Sequence, residues 1–93
     1  MKTFKDLEFQ PHFSDESGIQ ARMTFDNGYG VSVIKTSFSY GGKQGLYELA
    51  VLDSSGSVTY NTPITEDVLG YLSEDEVTDN MIEVQKILTF NLK

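Results

Sequence analysis

The chain has 93 residues, with fourteen acidic against seven basic side chains and a net charge of −7; this length holds one domain, and this charge excludes a surface built for phosphate backbones. Its 39% hydrophobic and 12% aromatic residues can fill a small core, unlike the composition of a disordered segment. The absence of cysteine excludes a disulfide framework and a thiolate zinc site, and no stretch approaches the ~20 apolar residues of a membrane span.

Residues 1–6 lack the apolar run of a signal peptide, so the expectation is one soluble domain, residues 1–93, in a reducing compartment. An extended piece at 7–10 with two apolar alternations before Pro11 reads as an edge strand, and 14–18 reads as a loose loop. From 19 to 25, Ile19, Ala21, Met23 and Phe25 alternate with Gln20, Arg22 and Thr24, the period of a strand with one buried face. Asp26-Asn27-Gly28 follows. A two-residue turn on Asn27-Gly28 would place Val31 and Val33 on the face opposite Met23 and Phe25. A three-residue loop instead pairs Phe25 with Tyr29, Met23 with Val31 and Ala21 with Val33, so it is preferred, with Gly28 left-handed as the bulge residue.

Residues 46–52 are apolar on both faces except for Glu48 and read as a central strand. A four-residue loop, 53–56, then returns the chain through 57–60, pairing Val51 with Val58 and Leu49 with Tyr60. Thr65, followed by Glu66 and Asp67, has the hydroxyl cap and acids of a helix start, and Gly70 keeps that helix short. Ser73-Glu74-Asp75-Glu76 fits a capping box opening a helix to about Leu88, with Val77, Met81, Val84 and Leu88 as its apolar stripe and Ile87 on the flank. Residues 89–93 read as a tail.

Catalytic patterns are sparse. His12 is the one histidine, and it stands beside Pro11 as an ordinary solvated side chain; no serine lies in a Gly-x-Ser-x-Gly context. Gly41-Gly42-Lys43-Gln44-Gly45 has the wrong order for a phosphate-binding loop and reads as a hairpin needing positive φ. Glu74, Asp75, Glu76 and Asp79 lack the alternating spacing and glycine of a calcium loop and read as a solvated helix N-terminus. No catalytic residue, metal or cofactor is expected. Among Tyr29, Phe38, Tyr40, Tyr47, Tyr60 and Tyr71, several must serve the core, and Tyr40, beside the glycine-rich loop, is the one placed for a partner.

Charge is segregated. Residues 65–83 carry seven acids, Glu66, Asp67, Glu74, Asp75, Glu76, Asp79 and Glu83, with no lysine or arginine, so this segment equals the whole net charge of −7. Asp75, Asp79 and Glu83 recur at i, i+4 and i+8 opposite the apolar stripe, where like charges cost a helix about 0.2–0.5 kcal/mol per pair. Two readings stand: a solubility face, or an electrostatic surface for a basic partner, including a protein groove that normally holds nucleic acid.

Three segments carry a resemblance: Phe25-Asp26-Asn27-Gly28-Tyr29-Gly30-Val31-Ser32-Val33, Gly45-Leu46-Tyr47-Glu48-Leu49-Ala50-Val51-Leu52 and Thr62-Pro63-Ile64-Thr65-Glu66-Asp67-Val68-Leu69-Gly70-Tyr71-Leu72. In this order the chain resembles a small uncharacterised protein family encoded by tailed bacteriophages and prophages. The resemblance implies a short accessory protein of the host bacterial cytoplasm. Such proteins often bind and inhibit host proteins, CRISPR effectors and other defence machinery included, and acidic ones sometimes imitate DNA.

Together these readings give an α+β fold: a twisted antiparallel β-meander of four to five strands, with one short and one longer C-terminal helix packed on one face. Gln20, Arg22, Thr24, Ser32 and Ile34 would line the open face. The expected function is a non-enzymatic accessory protein that binds a host protein with a basic surface, not nucleic acid directly and not a membrane. Glu66, Asp67, Asp75, Asp79, Glu83 and Tyr40 are the partner-binding candidates. The alternative is a self-assembling structural protein, a homodimer formed through a sheet edge or the open face.

Overall fold

In the computed structural model, which describes residues 1–64 and 67–88, each strand pairs antiparallel with the next. The sheet runs in the order β1 (Gln10–His12), β2 (Asp15–Thr24), β3 (Gly30–Lys35), β4 (Tyr47–Leu52) and β5 (Leu69–Leu72), and α1 (Glu74–Gln85) follows. The fold is therefore α+β, with five strands and, among the described residues, one α-helix where two were expected.

The three-residue loop sets the register of the sheet. Phe25 N–H donates to the Tyr29 carbonyl oxygen at 2.7 Å, Gly28 N–H donates to Phe25 at 3.0 Å, and Gly28 sits at φ +90°. Ala21 consequently pairs with Val33 and Met23 with Val31, and on the next strand Val33 pairs with Leu49 and Val31 with Val51. That row faces α1, whose Val77, Met81 and Val84 are fully buried against it. Each such side chain contributes about 1.5–3 kcal/mol through burial.

Asn27, read from sequence only as a turn residue, has a second task. Its Nδ2 donates to the carbonyls of Val84 and Ile87 at 2.9 and 3.0 Å, and its Oδ1 accepts from Tyr29 N–H at 3.1 Å. The hairpin tip thus adds a donor to two carbonyls at the C-terminal end of α1, where intrahelical donors run out; Val84 also accepts from Ile87 N–H at 3.2 Å. At the other end the capping box is formed: Ser73 Oγ accepts from Glu76 N–H and the Glu76 carboxylate accepts from Ser73 N–H. The helix stops at Lys86, so Leu88, expected in the apolar stripe, is 79% exposed, and Ile87 packs on the core instead.

The N-terminal segment straps across this layer. Gln85 brackets Lys2, accepting from its N–H at 2.9 Å and donating to its carbonyl at 2.8 Å, and Thr78 Oγ1 accepts from Phe4 N–H. Leu7 is buried in the core, and Phe4, Phe9 and Tyr47 meet with ring centroids 5.1–5.7 Å apart. The expected edge strand at 7–10 therefore lies mostly outside the sheet, because its apolar residues fill the core. The edge is β1, where Pro11 faces Ile19; an edge strand tolerates a residue that has no N–H to donate. The expected loose loop at 14–18 is also corrected: β2 begins at Asp15.

Two further expectations fail around β4. The turn after it has a three-residue loop like the first, with Asp53 N–H donating to Ser57 at 2.8 Å, Gly56 N–H to Asp53 at 2.9 Å, and Gly56 at φ +84°. Val58 therefore faces Leu52 rather than Val51. This single-residue slip moves Val58 to the face away from the helix and ends the pairing at one bridge. The vacated edge of β4 is taken by β5, so Leu69 and Gly70, expected at the end of the short helix, are strand instead. The expected start of that helix, Thr65 and Glu66, lies outside the described residues. Pairing of Tyr47 with Leu72 and of Leu49 with Leu69 leaves Gly70 and Tyr71 opposite Glu48 alone. This bulge turns both leucines toward the core.

The two glycines flanking Tyr29 should respond differently to substitution. Gly28 has open space but positive φ, so Gly28→Val loses about 1–3 kcal/mol while Gly28→Asn stays near the parent. At Gly30 a Cβ would run into the Met23 carbonyl oxygen, so even Gly30→Ala costs about 1–3 kcal/mol. Thermal denaturation checks this, at roughly 4–8 °C per kcal/mol for a domain of this size. A Gly30→Ala protein melting with the parent would remove the close approach.

Candidate interaction surfaces

The fold presents two faces. On the outer side of α1, Asp75, Asp79 and Glu83 are exposed, as expected from their spacing. Glu74, Asp75 and Glu76 occupy the first turn, where the helix dipole favours negative charge. Asp79 and Glu83 have no such support, and Glu83 lies toward the end where the dipole disfavours it. Lys86 Nζ stands 3.3 Å from Glu83, an exposed pair that contributes little. Asp75 and Asp79 form no ion pair among the described residues. Asp67 is exposed ahead of β5, its carboxylate accepting from Val68 N–H at 2.7 Å, and Glu66 lies outside the described residues.

Tyr40 does not join these acids. It is 58% exposed, and its backbone N–H donates to Glu48 Oε1 at 2.9 Å. Glu48 alternates with Tyr47 and Leu49, which face the core under α1, so Tyr40 is tied to the opposite side of the sheet. The candidates thus separate into an acidic helical face and a tyrosine across the sheet from it.

The second face is an open depression on the side away from α1, of about 400 Å³. Of the five residues expected there from the alternation of β2 and β3, Gln20, Arg22, Ser32 and Ile34 line it, joined by Glu48 and Ala50 from β4 and by Val58, whereas Thr24 lines a different depression with Lys2 and Asn27. Val58 was missed because its register slipped; the shared Gly-terminated grammar of Asp26-Asn27-Gly28 and Ser54-Ser55-Gly56 was the available signal. Arg22 crosses the rim and donates to the Gly56 carbonyl at 3.1 Å. At one end Phe13, 86% exposed, stacks on His12 with ring centroids 4.6 Å apart.

His12 Nδ1 lies 3.2 Å from Ser14 N–H and 3.1 Å from Ser14 Oγ, a local turn in which no carboxylate orients the other ring nitrogen among the described residues. No group of three or more potential metal ligands converges among the described residues, and no helix among them is long and apolar enough to cross a membrane.

Asp15 anchors the hairpin that carries Phe13. It accepts from the backbone N–H and hydroxyl groups of both Ser37 and Ser17, between 2.7 and 3.1 Å. These bonds, the Ser37 N–H foremost, lower its pKa from 3.8 to about 2. Asp53 is lowered likewise, by the Ser55 hydroxyl first and then by the Ser57 N–H. Compared with protein-family models, curated proteins and solved structures, the chain matches none.

A depressed carboxyl stabilises the fold above its unfolded pKa, and the contribution is lost as pH falls from 3.8 to about 2. Asp15→Asn should therefore melt below the parent by a constant margin at neutral pH, and the margin should close between pH ~4 and ~2. Melting curves across this range check it; a margin independent of pH would separate Asp15 from the acid response.

Proposed function

We propose that the chain is a non-enzymatic accessory protein, of the kind phages encode, that binds a host protein in the bacterial cytoplasm through the acidic outer face of α1. The observation that supports this is the row Asp75, Asp79 and Glu83: three exposed carboxylates one turn apart, with Lys86 as the one neutralising partner among the described residues. Helix stability accounts for acids in the first turn but not for Asp79 and Glu83, where like-charge spacing is unfavourable. A basic protein surface would convert that repulsion into attraction, speeding association and selecting the partner.

A second reading is self-association through the open sheet face. The depression between β2 and β4, with Phe13 projecting at its end, favours it. Light scattering over a micromolar range separates the two, since only self-association raises the mass with concentration.

The charge reversal Asp75→Lys, Asp79→Lys, Glu83→Lys tests the first reading. The three side chains are exposed, so the triple variant should keep the parent's circular dichroism, and it should lose capture of the host protein. Capture by the parent should also weaken steeply as salt rises from about 0.05 to 0.5 M. Undiminished capture by the folded triple variant would overturn the proposal.

A further inference from the structure

The tip of the first hairpin holds a side chain that can react with its own backbone. Asn27-Gly28 is the one Asn-Gly pair in the sequence, and a glycine after asparagine leaves the following peptide nitrogen without a side chain to hinder its approach to the asparagine amide. Attack of that nitrogen on Cγ opens the spontaneous deamidation that makes asparagine thermolabile. Gly28 has open space around it, and Asn27 is half-buried between two open depressions, one lined by Met1, Lys2 and Gln85 and the other by Asp53 and Ser54. Water therefore reaches both residues.

The fold nonetheless commits every group that the reaction needs. Gly28 N–H, which must lose its proton for the nitrogen to attack, donates to the Phe25 carbonyl at 3.0 Å. The departing Nδ2 spends both hydrogens on the carbonyls of Val84 and Ile87 at 2.9 and 3.0 Å, and Oδ1 accepts from Tyr29 N–H at 3.1 Å. Cγ cannot swing toward Gly28 N while the amide is held by all three bonds. Two of them belong to the end of α1, so undocking of that end frees the side chain, and helix termini are where local opening costs least.

We propose that Asn27 is a deamidation site gated by the docking of α1. When the helix end opens, Gly28 N gives its proton to hydroxide and bonds to Cγ, the Cγ–Nδ2 bond breaks, and ammonia leaves behind a cyclic imide. Water then adds to either carbonyl of the ring. Addition at Cγ breaks its bond to Gly28 N and yields aspartate. Addition at the main-chain carbonyl of residue 27 breaks the original peptide bond and yields isoaspartate, whose chain runs on through Cβ and Cγ. In sum, water is consumed and ammonia released.

At neutral pH neither product can close the contact again. A carboxylate has no hydrogen for the two carbonyls and sets its charge against their negative ends. Isoaspartate also lengthens the backbone of the loop that fixes the pairing of Phe25 with Tyr29. An opening of the helix end that is reversible in a young chain thus becomes permanent in an old one, whichever partner the chain meets.

The test follows the full chain at mildly alkaline pH and physiological temperature. Peptide mass reads the replacement of the Asn27 amide by an acid, and acceptance by an isoaspartyl methyltransferase reads the rearranged product. The folded chain should react at least about tenfold slower than the same chain in urea. Ile87→Ala loosens the helix end on the core without removing a bond to Asn27, and it should speed the folded chain about threefold or more while leaving the rate in urea unchanged. Gly28→Asn should slow the reaction in both states, because a side chain then flanks the attacking nitrogen. Asn27→Asp should melt below the parent, with hydrogen exchange rising first at Lys86 and Ile87. A folded chain reacting as fast as the chain in urea, or an Ile87→Ala chain keeping the parent's rate, overturns the gate. No reaction at Asn27 in urea overturns the site, and an Asn27→Asp protein that melts with the parent overturns the loss of contact.

Discussion

The pairing of Phe25 with Tyr29 across three loop residues is the constraint on which the rest of the molecule depends. A strand's side chains alternate faces, so the parity of this pairing decides whether Ala21, Met23, Val31 and Val33 lie together or are divided between core and solvent. Once they lie together, β4 inherits the same parity through Val31 opposite Val51 and Val33 opposite Leu49. Helix α1 then has one apolar surface to cover. The Asp26-Asn27-Gly28 tip that sets the parity also reaches the end of that helix through Asn27, so sheet register and helix position are settled by neighbouring residues of one turn.

Where a local pattern was strong and agreed with tertiary needs, the sequence was readable. The alternation of β2, the loop grammar around Gly28, the capping box at Ser73 and the Val77, Met81 and Val84 stripe all reappear in the fold. The misreadings share a cause. Hydroxyl and acidic residues before an apolar run made 65–70 look helical, but β4 had an unpaired edge, and Leu69 and Leu72 reach the core only from a bulged strand on that edge. Local propensity yielded to edge pairing. Likewise Leu7 and Phe9, read as an edge strand from two apolar alternations, were not readable as packing material for the helical side.

The candidate surfaces were legible to different degrees. Carboxylates at i, i+4 and i+8 can be seen from spacing alone, and so can the polar row of β2 and β3 that borders the open face. The separation of Tyr40 from the acidic helix could not be seen, because it depends on which side of the sheet the glycine-rich loop folds toward. That choice is made by a hydrogen bond to Glu48 and by a strand that sequence patterns had assigned to a helix. The left-handed backbone of Tyr71, at φ +57°, was hidden for the same reason, since without β5 there is no bulge to demand it.

The bracket of Gln85 around Lys2 bears on the order in which the molecule assembles. Its bonds join positions 83 residues apart, whereas the β2–β3 and β3–β4 pairings close over neighbouring stretches of chain. Contacts between neighbours are reached with little loop-closure entropy, and a contact of this span is reached with much more. The meander can therefore zip strand by strand, and the strap carrying Phe4, Leu7 and Phe9 can lie on Tyr47 of β4 but gains its bonds to Gln85 and Thr78 only after α1 has docked. Until then the strap is held by β4 alone, and a chain whose strap has come away from it exposes Phe4, Leu7 and Phe9 to chaperones, proteases and mispairing with its own kind.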